Sequence, residues 1–179
     1  MHAERTPNPN SIKWVLGQPV AETVSAASFT PPLEASVSPL AAPIVAIEGV
    51  EGVLLGPNFV TVTKSEGMEW TDLAADIVAA IKAWAQAGEP ALGPGFEPPV
   101  TRADDALVAR IQDILERDVR PFVEQDGGEI GFAGYRDGVV EVVLRGACAG
   151  CPSSSVTLKM GIEARLKEEI PEIQSVVAL

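Results

Sequence analysis

The chain of 179 residues has few of the side chains that usually build metal sites and catalytic centres. It contains two cysteines and one histidine, and aromatic residues make up 5% of it. Two cysteines in so long a chain exclude a disulfide framework. We expect His2, close to the N-terminus, to be solvated rather than a metal ligand. No histidine lies near the serines at 153–155, so a hydrolytic nucleophile is not expected.

Long apolar runs and an excess of positive charge are also missing. The longest apolar run, residues 39–47, is interrupted by prolines and is far shorter than the roughly 18 apolar residues of a membrane span. Thirteen Lys and Arg against 25 Asp and Glu give a net charge of −12, which repels nucleic-acid backbones. The sequence therefore predicts a soluble protein with neither a membrane nor a nucleic acid as its partner.

The first ten residues, MHAERTPNPN, do not resemble a targeting segment. They lack the basic start and apolar segment of a secretory signal, and the Arg- and Ser-rich, acid-poor character of a transit peptide. We therefore expect a cytoplasmic, bacterial location.

A segment rich in glycine and proline divides the chain. Residues 88–101 hold 3 Gly and 4 Pro in 14 positions, a composition that favours neither helix nor sheet. We interpret it as a linker between a first domain, residues 1–87, and a second domain, residues 102–179.

The first domain shows two β-rich stretches and one amphipathic helix. Residues 11–16 predict a strand, and GVLLGPNFVTVTK at 52–64 predicts a hairpin. A helix with Thr71 as its N-cap is expected to bury a regular apolar stripe: Leu73, Ile77, Ile81 and Trp84. A further short helix is expected from Ser38.

The second domain predicts the order αββαβ. A helix from Leu107 should end or kink near Arg120, because Pro121 follows. Two alternating strands, around a turn at 137–138, end at Gly146. A helix with Leu158, Ile162, Leu166 and Ile170 on one face then leads to a last strand at 173–178. Gly161 inside that helix costs about 1 kcal/mol relative to Ala, which predicts close packing against a neighbour. The fold class is α+β, with two small domains that each pack a small sheet with helices.

Both cysteines lie in GACAGCPSSS, residues 146–155, where a strand ends and a helix begins. With Cys151 as N-cap and Pro152 in the first helical position, the free N–H groups that follow would stabilise a thiolate. Two intervening residues let the sulfurs of Cys148 and Cys151 converge on one metal centre. From the residues alone, a metal or cluster site, a redox-active dithiol and an inert buried pair all stay open.

Counting ligands separates these alternatives further. Zinc and iron–sulfur sites favour four protein ligands, so a closed site needs a second copy of the same loop across a two-fold axis. A structural zinc would be held permanently, whereas a cluster shared across a breakable interface is easily handed on. A dithiol–disulfide oxidoreductase is the alternative, but only 28 residues follow Cys151, too few for the rest of a thioredoxin-like sheet.

Several motifs resemble those of the Nfu and NifU proteins, which are iron–sulfur cluster scaffolds or carriers. Residues 126–173 carry the double glycine, the strand pair, CxxC followed by Pro and Ser, TLK at 157–159, Gly161 and IPE near the end. TPNPNSIKW at 6–14, SPLA at 38–41, IEGV at 47–50 and GPNFVTVTK at 56–64 are similar to the Nfu N-terminal domain. The two resemblances cover nearly the whole chain outside the linker.

The resemblance implies a carrier without enzymatic turnover. It implies a [4Fe–4S] cluster, less readily [2Fe–2S] or zinc, held between two subunits by Cys148 and Cys151 of each. The expected partners are apo-proteins that receive the cluster, upstream cluster-assembly proteins, and a second copy of the chain in the cluster-bound homodimer. Glu129 stands where many relatives have Asp, and Ala147 and Ala149 stand where Ser or Thr is common; none is a ligand.

Overall fold

The computed structural model describes residues 1–21, 26–97, 106–136, 138–149 and 154–178. They fall into two compact units, Met1–Pro98 and Pro99–Leu179, and each unit is described by itself below. None of the helices in these described ranges is both long and apolar enough to cross a membrane.

The first unit is built on a five-stranded antiparallel sheet. Its strands are β1 (His2–Arg5), β2 (Ser11–Val15), β3 (Ala27–Phe29), β4 (Val50–Leu55) and β5 (Phe59–Lys64). They lie in the order β1-β2-β5-β4-β3. The predicted strand at 11–16 and the predicted hairpin are therefore present, and the hairpin forms the centre of the sheet.

Two helices cover this sheet, α1 (Ala41–Val45) and α2 (Trp70–Ala87). The predicted stripe of α2 is buried in the core: Leu73, Ile77, Ile81 and Trp84. The predicted cap is wrong: the N-cap is Glu69, and Thr71 lies inside the first turn, where its hydroxyl points to Asp72. Ser38 precedes α1 by three residues and accepts a hydrogen bond from the Ala41 N–H, 3.0 Å away.

The TPNPN segment is a turn that fastens β2 to the rest of the unit. The Trp70 indole Nε1–H donates to the Pro9 carbonyl at 3.1 Å, and Lys64 Nζ donates to Asn10 Oδ1 at 3.0 Å. These contacts give the motif a structural role, because they satisfy backbone and amide oxygens that a turn leaves without partners.

The second unit contains α3 (Ala106–Ile114), a π-helical turn (Leu115–Val119), α4 (Arg120–Gln125), β6 (Gly128–Arg136), β7 (Val139–Gly146), α5 (Ser154–Glu169) and β8 (Ser175–Ala178). The sheet has the order β6-β7-β8, with an antiparallel first pair and a parallel second pair. The predicted order αββαβ and the α+β class with two small domains are confirmed. The exact domain boundaries at 87 and 102 stay a prediction.

Proline at 121 shapes the helical segment as expected. Pro121 lies in the first turn of α4, where its missing N–H costs little, and the π-helical turn just before it absorbs the break in the α-helical hydrogen bonds. The close neighbour expected for Gly161 is not found among the described residues of this chain. A Cβ placed there meets no atom within 4 Å outside the helix backbone and the chain neighbours, among the residues that the structure describes.

Ion pairs join the π-helical turn to α5 at the surface. Arg117 forms a fork on Asp118, with Nε–Oδ1 and Nη2–Oδ2 distances of 2.9 Å, and Arg165 Nε donates to the same carboxylate at 2.7 Å. Hydrogen bonds from Arg117, and then from Arg165, lower the pKa of Asp118 to about 2. Asp118 is therefore ionised in the folded state at pH values where the unfolded chain takes up a proton.

We predict that Asp118→Asn removes part of the acid sensitivity of this unit. The folded pKa of about 2 lies below the ordinary 3.8, so Asp118 stabilises the fold above about pH 4 and loses this effect as the pH falls toward 2. The urea midpoint of the variant should fall below that of the wild type at pH 6, and the difference should shrink at pH 2.5. Asp113→Asn, at a more exposed partner of Arg117, is the matched control. A difference that does not depend on pH would contradict the assignment.

Candidate functional site

The end of β7 and the turn before β6 together hold the first cysteine. β7 ends at Gly146 with φ +63°, and the turn before β6 has Gly127 at φ +74°. The Ala147 N–H donates to the Gly127 carbonyl at 3.2 Å, and the Ala149 N–H donates back to Gly146 at 3.1 Å. Because both glycines adopt backbone angles that other residues rarely take, the loop closes tightly on the start of β6.

Cys148 packs directly on Gly128. A Cβ at Gly128 would lie 2.4 Å from Cys148 Sγ and 3.0 Å from Cys148 Cβ, well inside van der Waals contact. The side chain of Cys148 is 5% exposed and belongs to the same core as Ile130 and Leu144. The double glycine therefore has two separate tasks: Gly127 makes the turn, and Gly128 leaves the space that the sulfur occupies.

A buried carboxylate lies one residue further along β6. Glu129 is 4% exposed, and its Oε2 lies 3.4 Å from Arg145 Nη1, while its Oε1 lies 3.9 Å from Arg120 Nη1. Arg145 is its cross-strand partner on β7, directly before Gly146. The two guanidinium groups compensate a carboxylate that would otherwise be costly to bury.

From the sequence, Glu129 stands out only by its residue type, and neither arginine is predicted to lie near it. The strand register carries the missing information. A bulge between Phe132 and Gly134 shifts the pairing by one residue and brings Glu129 opposite Arg145. If the pairing that starts at Arg136 and Val139 continued without the bulge, Glu129 would lie opposite Gly146.

The second predicted ligand, Cys151, lies outside the described residues, as do Pro152 and Ser153 with the predicted N-cap. The assignment of Cys148 and Cys151 as ligands stays a prediction. Within the part of the chain that the structure describes, no group of three or more His, Cys, Asp or Glu side chains could hold a metal ion.

Comparison with known proteins places this site in a family. A family model described as "NifU-like domain" matches residues 111–177, and one described as "Scaffold protein Nfu/NifU N terminal" matches residues 1–88. A human protein named "NFU1 iron-sulfur cluster scaffold homolog, mitochondrial" is 42% identical over 98% of this chain and 70% of its own length. The chain belongs to the Nfu family.

Two further relatives match nearly the whole chain, and a solved structure matches part of it. A Drosophila erecta protein with the same name as the human one is 38% identical over 98% of this chain and 63% of its own length. "NifU-like protein 4, mitochondrial" of Arabidopsis thaliana is 39% identical over 98% of this chain and 64% of its own length. The solution structure of a NifU-like protein from Saccharomyces cerevisiae is 21% identical, covering 52% of this chain and 83% of that one, with a TM-score of 0.47.

The predicted membership in the Nfu family is confirmed, and the predicted bacterial cytoplasmic location is wrong. The human, fly and plant relatives are all named as mitochondrial proteins. The prediction rested on the character of residues 1–10. Because this chain spans 63 to 70% of those relatives, these residues carry no information about a targeting segment.

We predict that Gly128→Ala displaces Cys148. Overpacking of this kind costs about 1–3 kcal/mol, and about 1.4 kcal/mol corresponds to a tenfold change in the population of an opened loop. In a Cys151→Ser background, the rate of Cys148 modification by a thiol reagent should rise by about tenfold or more. Gly131→Ala is the matched control on the same strand, because its Cβ would meet nothing closer than 3.9 Å. Equal rates in both variants would contradict the contact.

We also predict that Glu129→Gln destabilises the second unit by about 1–3 kcal/mol, because two positively charged groups lose their buried partner while the side-chain shape is kept. The measurement is urea unfolding at pH 7. Glu141→Gln, at an exposed carboxylate of the neighbouring strand, should change stability by less than about 0.5 kcal/mol. A loss at Glu129 no larger than that at Glu141 would mean that the two arginines do not depend on this carboxylate.

Proposed function

We propose that this chain is an iron–sulfur cluster carrier that holds a [4Fe–4S] cluster between two copies of itself and transfers it to apo-proteins. The observation that carries the proposal is the 42% identity, over 98% of the chain, to a human protein named as an iron–sulfur cluster scaffold. The packing of Cys148 on Gly128 supports it, because this contact fixes one of the two proposed ligand sulfurs at the end of a strand.

The number of cysteines sets the stoichiometry of this proposal. Cubane clusters are held by four thiolates, and each chain has Cys148 and Cys151 only. Two copies related by a two-fold axis supply four thiolates, with each subunit contributing the same pair. The cluster is cargo in this scheme: separating the two subunits removes half of its ligands and exposes it to the thiolates of a recipient.

A carrier of this kind has no catalytic turnover of its own. It receives a cluster from upstream assembly proteins and passes it to an apo-protein with vacant cysteines by exchange of thiolate ligands. Each Fe–S(thiolate) bond to the carrier that breaks is replaced by one to the recipient, so the cluster changes neither composition nor charge state. Nothing is oxidised or reduced in that exchange, which requires no catalytic residue beyond the ligands.

The proposal predicts a defined product on anaerobic reconstitution with iron and sulfide. A brown dimer with about four iron and four sulfide per two chains is expected, measured by metal and sulfide analysis of each peak from size-exclusion chromatography with mass detection. Cys148→Ser and Cys151→Ser should each abolish it, since either leaves two of four thiolates across the dimer. The Gly131→Ala variant, which keeps both cysteines, is the control.

Other results would contradict the proposal in distinguishable ways. A colourless dimer that retains zinc through the same cysteines would indicate a structural metal site. A colourless monomer whose cysteine pair cycles rapidly against a protein disulfide would indicate a dithiol–disulfide oxidoreductase. A stable brown dimer that passes no cluster to any apo-protein would leave a scaffold that does not act as a carrier.

A further inference from the structure

Helix α5 presents an uncharged outer face along its first three turns. Five residues there are exposed and uncharged, and together they form what we call the outer strip: Val156, Thr157, Met160, Gly161 and Ala164. Their spacing of three, four and five positions places them on one side of the helix. Val156 is 62% exposed and Met160 is 67% exposed, although the opposite side of the helix, with Ile162 and Leu166, already fills the core.

The strip ends where the charges of α5 begin. Beyond Ala164 the exposed positions are Lys167 and Glu168, and both are engaged in ion pairs on the helix, with Glu163 and Arg165. Apolar side chains on the solvent side of a helix indicate a surface that another molecule covers. The strip therefore differs from the ordinary solvated face that the same helix shows two turns later.

Gly161 lies near the middle of the strip and has no packing role that the described part of the chain explains. Its Cβ position is open, and glycine is a poor helix former compared with alanine. A glycine flanked by Thr157 and Ala164 on one helix face allows another backbone to approach closely, because no side chain stands between. The geometry fits a second helix that lies across α5 at this point.

The molecule that covers the outer strip follows from the proposed function, on which this inference rests. Helix α5 begins at Ser154, three residues after Cys151, and the strip occupies roughly the first 15 Å of the helix. When the loops of two copies meet at one cluster, the first turns of their two α5 helices come close to the two-fold axis. In a two-fold dimer, a surface next to the axis on one subunit faces the same surface on the other subunit.

The net charge of the chain also favours a second copy as the molecule that covers the strip. Two copies of a chain with a net charge of −12 repel one another. An uncharged strip that begins a few residues after Cys151 lets them approach without placing carboxylates face to face. A strongly acidic or basic partner surface would gain nothing from such a strip, whereas a second identical strip is also uncharged.

We propose that the outer strip of α5 is the surface through which two copies of this chain associate when they share a cluster, with Gly161 at the closest approach of the two helices. Five small or medium residues cover far less than the roughly 800 Å² per partner of a stable interface. The strip alone therefore gives a weak dimer, and the shared cluster supplies the remaining stabilisation. Loss of the cluster then returns the subunits to monomers.

The test compares two strip variants with a matched control. Gly161→Leu adds bulk at the centre of the strip, Met160→Glu adds charge to it, and Glu168→Leu changes an exposed residue of the same helix outside it. Thermal unfolding of each apo-protein by circular dichroism checks the fold first. The melting temperature of Gly161→Leu should not fall, because leucine favours helix more than glycine does and no described atom lies within 4 Å of the Cβ position, apart from the helix backbone and the chain neighbours.

Each protein is then reconstituted with iron and sulfide and studied by anaerobic sedimentation velocity over a range of concentrations. We expect the dissociation constant of the cluster-loaded dimer to rise at least tenfold for Gly161→Leu and Met160→Glu, and to be unchanged for Glu168→Leu. Iron and sulfide per chain, measured on the same samples, report cluster retention separately from association.

The outcomes separate the two proposals. If the wild type takes up no cluster, the proposed function fails and this inference with it. If the wild type forms a cluster-bridged dimer and both strip variants form it with the same dissociation constant, the carrier stands and the strip is not the dimer surface. An unchanged dimer with slower transfer to an apo-protein would assign the strip to the recipient and overturn the inference as well.

Discussion

The contact between Gly128 and Cys148 is the constraint on which the site depends. The sulfur of Cys148 lies where the Cβ of any other residue at 128 would collide with it, so its position is set by two backbone segments that pack closely together. The turn at Gly127 and the left-handed Gly146 bring these segments together. A sulfur held in this way has little conformational freedom left to lose when it binds.

In the second unit, the ion pairs of α5 lie toward its C-terminal end, whereas the exposed residues near its start are uncharged. Two ion pairs, Arg117–Glu169 and Arg165–Asp118, connect the π-helical turn to the second half of α5. On β6, next to Gly128, Glu129 lies within 4 Å of two guanidinium groups, those of Arg120 and Arg145. The charged surface of α5 is thus engaged in joining helices, and the turns nearest the cysteines carry uncharged exposed residues. One helix therefore serves two purposes along its length: its end stabilises the domain and its start presents a surface.

Several elements were predicted correctly because the signal for each lies in neighbouring residues. Alternation located β7, apolar spacing identified the buried stripe of α2, and Pro121 marked a break in helical hydrogen bonding that the π-helical turn accommodates. The errors concern contacts that a local pattern does not contain. Thr71 is a good cap by type, yet the helix begins one residue before it, and Gly161 has no neighbour within the described chain.

The sequence by itself determined the order of elements in the second unit, the presence of a cysteine pair after a strand, and the family to which these motifs belong, but it missed β1 and β3 of the first unit. Periodicity, turn residues and residue chemistry are properties of neighbouring positions and can be read without coordinates. The tertiary structure decided the register of β6 on β7. A bulge near Ala133 shifts that pairing by one residue and sets Gly128 opposite Gly146 and Glu129 opposite Arg145. No local signal specifies a bulge, because its position results from the twist and packing of the whole sheet.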